Sequence, residues 1–116
     1  MLPAKNRLKN KENLQRVIRE GSLFSFGDLA IKVRKNNLLL LRVTFFVKKK
    51  SARLAVDRNR IKRQLRGQFS SMLNKIAPGQ DMVVYCNYIE KKGEKFKSSE
   101  KKIEQLLLKA GLIKKR

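Results

Sequence analysis

Hydrophobic and polar positions alternate along this chain in two distinct periods. Read at 100° per residue, Ile61, Leu65, Phe69, Met72, Leu73 and Ile76 fall on one side of a helix. That spacing predicts an amphipathic helix long enough to cross a small domain. A shorter stripe, Leu14, Val17 and Ile18, predicts a first helix from about Lys11 to Glu20. Asn10 is placed to cap it, Glu12 suits the positive end of its dipole, and Gly21 is expected as its C′ residue. Ile103, Leu106, Leu107 and Ala110 form the inward side of a last helix. Ser98 or Ser99 is its expected cap and Gly111 its stop, with Leu112 folding back over Leu107 or Leu108.

Between the helices the period drops to two. Leu29, Ile31 and Val33 alternate with Ala30, Lys32 and Arg34. From about Leu39 to Lys49, Leu41, Val43, Phe45 and Val47 alternate with Arg42, Thr44, Phe46, Lys48 and Lys50. These segments read as half-buried strands and as neighbours. Ser22 to Phe26 reads as an edge strand followed by a Gly27-Asp28 turn, and Lys35-Asn36-Asn37 makes the next turn. Asp81 to Ile89 holds Met82-Val83-Val84-Tyr85-Cys86, an interior strand. Glu90 to Lys97 is a charged loop. The order α-β-β-β-α-β-α predicts an α+β fold in one domain over 1–116, with a basic lead-in over 1–9 and a basic tail over 113–116.

The chain has 116 residues, with 30 basic and 9 acidic side chains and a net charge of +21. Such an excess opposes compaction and self-association and favours a polyanionic partner. With 41% hydrophobic residues, the chain has enough apolar content to build a core rather than remain a disordered basic tail. The absence of His and Trp, with a single Cys, removes most routes to catalysis by protein side chains and to a zinc site. Cys86 cannot form an internal disulfide, which points to a reducing, cytoplasmic setting. No apolar run approaches a membrane span, and the basic N-terminus lacks the apolar stretch of a secretory signal.

The densest arginine cluster lies at the start of the long helix: Arg58, Asn59, Arg60, Lys62, Arg63 and Arg66. Arg58, Lys62 and Arg66 form a row four apart that flanks the apolar stripe. Like charges at that spacing repel, and cations are disfavoured in a first helical turn. Helix N-termini favour phosphate, and the planar guanidinium fork matches phosphate oxygens. A solvated face remains the plain alternative. The two strands carry a second candidate surface, a face with Lys32, Arg34, Arg42, Lys48 and Phe46. Cations tracking phosphates beside an aromatic plane would suit single-stranded nucleic acid. Phe46 is either such a platform or ordinary core under the first helix.

With these residues in place, the chain resembles the protein subunit of bacterial ribonuclease P. The resemblance runs from about Arg7 to Leu108, and its most specific part is Arg58-Asn59-Arg60-Ile61-Lys62-Arg63 with Arg66. Arg7-Leu8, Gly21, Val47-Lys48-Lys49 and Asp81-Met82-Val83-Val84 support it. It implies a fold like ribosomal protein S5 domain 2, with a left-handed βαβ crossover and helices packed on a four-stranded sheet. It implies a catalytic RNA partner that, with bound Mg²⁺, removes the 5′ leader of precursor tRNA. It also implies that the protein contacts that RNA through the arginine helix and binds the leader in a cleft. The cleft residues would be Arg7, Leu14, Ile18, Lys32, Arg34, Arg42, Phe46, Lys48 and Lys49.

The sequence departs from the family pattern at several positions. Leu14 and Ile18 stand where aromatics are usual, and Thr44 stands where Gly is common. The link Lys50-Ser51-Ala52-Arg53-Leu54 is one residue longer and lacks a Gly. Gly67 replaces a frequent acidic residue. Phe46 is expected to restore part of the lost stacking surface.

The nine acidic residues show no clustered metal site in the sequence, and Asp57 reads as a helix-start residue. No catalytic side chain and no protein-held metal are expected. The expected assembly is one protein monomer per RNA, without membrane contact. A structural RNA-binding protein of the ribosome is the runner-up reading, and a DNA-binding module using the arginine helix is the third.

Overall fold

The computed structural model describes residues 2–92 and 94–113. The basic tail residues Lys114, Lys115 and Arg116 lie outside them. After a single 3-10 turn at Ala4–Asn6, the elements are α1 (Lys11–Glu20), β1 (Ser22–Phe26), β2 (Leu29–Lys35), β3 (Arg42–Val47), α2 (Ala55–Met72), β4 (Gln80–Cys86) and α3 (Glu100–Lys109). The fold is α+β with a mixed sheet in the order β1-β2-β4-β3. The first two pairings are antiparallel, whereas β3 and β4 run parallel and are joined through α2.

Strands β2 and β3 are therefore not neighbours, contrary to the expectation from their matched patterns. The uncharged strand β4 lies between them, with Met82, Val83, Val84 and Cys86 buried. A strand whose flanks both take ladder bonds and whose faces are both covered is the one that tolerates a near-continuous apolar run.

One sheet face carries Ile31, Val33, Val43, Phe45, Met82 and Val84 into the main core with Ile61, Leu65 and Phe69 of α2 and Ile103, Leu106 and Leu107 of α3. Phe45 and Phe69 meet edge to face at 5.4 Å and 75°, a contact worth about 0.5–1.5 kcal/mol beyond its buried area. Cys86 is enclosed in this core, and burial pushes its thiol above the ordinary value. On the opposite face α1 lays Val17 over Val83, with Leu8 completing the small buried cluster and Leu14, Ile18 and Tyr85 packed around it.

Several boundaries differ from the sequence reading. Helix α2 tightens into a 3-10 turn at Leu73–Lys75, although Ile76 is still buried as its spacing requires. Strand β3 starts at Arg42 rather than Leu39, because the Leu40 carbonyl accepts from Gly79 N–H and from Asn36 Nδ2 instead of extending a ladder. Leu39, without a strand to hold it, is 96% exposed. Strand β4 stops at Cys86, where Ser51 Oγ donates toward the Cys86 and Tyr88 carbonyls.

The caps also divide. Asn10 Oδ1 accepts from Asn13 N–H at 3.1 Å, as expected for an N-cap. Ser99 occupies the N-cap of α3 without a side-chain cap bond, and Ser98 turns instead to Gln68 Oε1. Gly111 has φ of +73° and leads into a Leu112 N–H to Leu107 carbonyl bond of 2.9 Å, the expected Schellman closure. Gly21 ends α1 for a different reason. Its φ is −70°, open to any residue, but a Cβ there would sit 2.5 Å from the Val17 carbonyl oxygen.

The lead-in is ordered on the sheet rather than a loose basic arm. Leu2, Asn6 and Leu8 are buried, Asn6 Nδ2 donates to the Leu41 carbonyl at 2.8 Å, and Leu8 N–H donates to Val43. This segment covers part of the open edge of β3, an edge that would otherwise present unpaired backbone groups.

Candidate nucleic-acid interface

The register of the sheet builds the first surface in three cross-strand rows on the α1 side. Arg34, Asp81 and Arg42 form one row, Lys32, Val83 and Thr44 the next, and Ala30, Tyr85 and Phe46 the third. Helix α1 covers the Val83 part of this face and leaves β3 beside it uncovered. Phe46 is 37% exposed and its ring lies 5.8 Å from that of Tyr85, tilted by 33°. Phe46 is thus not core under the first helix. It forms, with Tyr85, an aromatic floor beside the apolar flank of α1 that carries Leu14 and Ile18. Burial pushes the Tyr85 phenol above its ordinary value.

Tyr85 was not singled out from the sequence. Its alternation within β4 places it opposite Val84, but only the parallel register with β3 brings it to Phe46.

The cations expected on this face are not equally available. Arg42 forks onto Asp81, with Nε and Nη2 each 2.7 Å from a carboxylate oxygen. That hydrogen bonding, partly opposed by burial, raises the Arg42 pKa. Asp81 is only 3% exposed and also accepts from Asn36 Nδ2 at 2.9 Å. Lys32 Nζ donates to the Ile18 carbonyl at 2.8 Å, stabilising the negative end of α1. Arg34 approaches Glu20 at 3.4 Å, and Arg7 Nε donates to the Leu2 carbonyl at 3.0 Å. Lys48 and Lys49, just past β3, are exposed and show no ion pair among the described residues.

The second surface is α2. The Ile61, Leu65 and Phe69 stripe fixes the helix on the sheet, which turns the flanking basic row outward. Arg58 Nη1 donates to the Ala52 and Arg53 carbonyls, both at 2.9 Å, and so braces the link before the helix. Arg60 lies 3.8 Å from Asp57, and its Nε is enclosed without a hydrogen-bond partner among the described residues. Asn59 and Arg63 are exposed, Lys62 and Arg66 partly so. Among the described residues none of these four makes a side-chain hydrogen bond or ion pair. Leu54 supplies no side-chain cap to the helix start.

No group of three or more His, Cys, Asp or Glu side chains gathers among the described residues. No helix among them is long and apolar enough to cross a membrane.

The chain is similar to known proteins in sequence and in fold. Residues 2–111 match the family model described as Ribonuclease P. The ribonuclease P protein component of Pseudanabaena sp. is 36% identical over 93 residues, covering 79% of this chain and 80% of that protein. The solved RNase P protein from Thermotoga maritima is 27% identical with a TM-score of 0.72, covering 87% of this chain and 94% of the other. The Staphylococcus aureus RNase P protein, at 23% identity and a TM-score of 0.77 over 94% of this chain and 98% of the other, shares the fold. The chain belongs to the ribonuclease P protein family.

Proposed function

We propose that the chain binds the RNA subunit of ribonuclease P and the 5′ leader of precursor tRNA, and so assists endonucleolytic removal of the leader. The observation that carries this reading is the unpaired basic side of α2, with Lys62, Arg63 and Arg66 held outward by a buried apolar stripe. Repulsion along such a row is relieved by a phosphate backbone. The floor formed by Phe46 and Tyr85 supports a second contact, to unstacked bases. An exposed aromatic there would hold a base for about 1–3 kcal/mol, with Lys48 and Lys49 close in sequence to meet the phosphates.

In this reading the chain performs no bond-breaking step. Mg²⁺ supplies charge stabilisation and an activated water through the RNA subunit. The protein binds and orients, and its positive charge offsets phosphate repulsion that Mg²⁺ would otherwise have to screen. A net charge of +21 disfavours self-association, which fits one protein per RNA. Its single cysteine is free and buried, which is compatible with a cytoplasmic site of action.

Reconstitution with a ribonuclease P RNA at low Mg²⁺ tests the proposal. The expected result is stimulated cleavage at the mature 5′ end, greater for leader-bearing precursor. Retention by ribosomal RNA with no effect on cleavage would favour a structural ribosomal role instead.

A further inference from the structure

A third basic surface lies at the carboxyl ends of the parallel pair β3 and β4, apart from the aromatic floor and the outward row of α2. Lys49, Lys50 and Arg53 follow β3, while Lys91, Lys92 and Lys95 come from the loop after β4. Together they line an open cavity of about 980 Å³. Lys97 completes a set of seven basic side chains against only Glu90 and Glu94. The carboxyl ends of parallel strands are where open sheets most often receive ligands.

The described residues of the loop are anchored rather than trailing. Phe96 is buried and its ring meets Tyr88 at 5.5 Å. Glu90 N–H donates to the Lys50 carbonyl at 2.8 Å, and Tyr88 OH donates to the Glu94 carbonyl at 3.2 Å. Lys95 also reaches Asp57 of α2 at 3.9 Å, tying the loop to the start of the arginine helix. Like charges are thus held on a braced frame, a cost that a bound polyanion would offset. The cavity is near the upper end of the range for ligand sites, larger than a lone phosphate requires. Its wall includes Ile89, 63% exposed, which offers an apolar surface to a base or sugar.

We infer that this cavity binds the phosphodiester backbone of an RNA strand, and that through Lys49 it joins the floor beside α1 to the arginine side of α2 in one path. The inference rests on the RNA-binding reading given above and adds a site to it. Lys91, Lys92 and Lys97 contact phosphates, and Ile89 lies against a nucleoside.

The test is the salt dependence of binding by the full chain, measured separately with ribonuclease P RNA and with leader-bearing precursor tRNA. The variant K91Q/K92Q/K97Q is compared with K5Q/K101Q/K102Q, which removes the same charge from exposed positions elsewhere. Each lost single-strand phosphate contact should weaken binding roughly fivefold at 0.1 M salt and flatten the log–log slope by about 0.7. The cavity variant should lose on the order of tenfold or more beyond the control for at least one RNA, and which RNA loses identifies the strand. E94Q, which removes an opposing charge, should tighten the same complex about twofold. That gain cannot come from misfolding. If the wild-type chain binds both RNAs and the cavity variant matches the control with both, this inference is overturned while the functional reading stands. If the wild-type chain binds neither RNA, both are overturned.

Discussion

The cations on the sheet face and those on α2 are alike in kind and opposite in use. On the sheet, Arg42 is clamped to buried Asp81, Lys32 holds the end of α1, and Arg34 meets Glu20. On α2, Lys62, Arg63 and Arg66 have no such partners among the described residues. The sheet-face charges chiefly hold the fold, as do Arg58 and Arg60 at the start of α2, whereas Lys62, Arg63 and Arg66 remain open to a ligand. A count of basic residues on a face therefore overstates what that face can offer an RNA. In the proposed reading, what remains on the sheet for recognition is aromatic, Phe46 beside Tyr85, with Lys48 and Lys49 at its end.

The sharpest way to break this contrast is Arg42→Ala. It leaves the Asp81 carboxylate enclosed, with Asn36 as its remaining side-chain donor, and should cost about 3 kcal/mol of stability. Urea unfolding at neutral pH measures it, and a loss below 0.5 kcal/mol would place Arg42 with the free cations. Arg42→Lys keeps the charge without the fork and should recover only part of the loss.

Phe46→Ala should act on recognition instead. It removes one stacking plane worth about 1–3 kcal/mol, so affinity for leader-bearing precursor should fall roughly tenfold. Affinity for leader-free precursor should hold, and an equal fall for both would remove Phe46 from the leader site. The smallest effect expected is that of Lys32→Met. Loss of a cation at the end of α1 should cost about 0.3–1 kcal/mol of stability, with leader affinity changed less than by Phe46→Ala. A large binding defect with unchanged stability would show that Lys32 serves the RNA directly.

The contrast also marks what the sequence could and could not reveal. The α2 stripe, the edge strand β1, the burial of β4 and the caps at Asn10 and Gly111 are local patterns, readable from spacing and turn chemistry. The partners of Arg42 and Lys32 lie 39 and 14 residues away, so their engagement depends on register and crossover, which spacing does not encode. The meeting of Phe46 with Tyr85 and the insertion of β4 between β2 and β3 depend on the same parallel pairing. In the lead-in, Leu2 and Leu8 were too isolated to form a pattern, yet tertiary contacts order them. Ser99 illustrates the reverse failure, a good local signal whose side chain makes no cap bond.

The most direct measurement is assembly of the Arg63→Gln/Arg66→Gln protein with ribonuclease P RNA across a range of salt, alongside its unfolding free energy. These two exchanges should leave stability within about 0.5 kcal/mol of the parent. They should weaken RNA binding by roughly 25-fold at 0.1 M salt and flatten the salt slope by about 1.4. Unchanged RNA affinity and slope, with the protein folded, would contradict the claim that the outward row of α2 is an RNA contact.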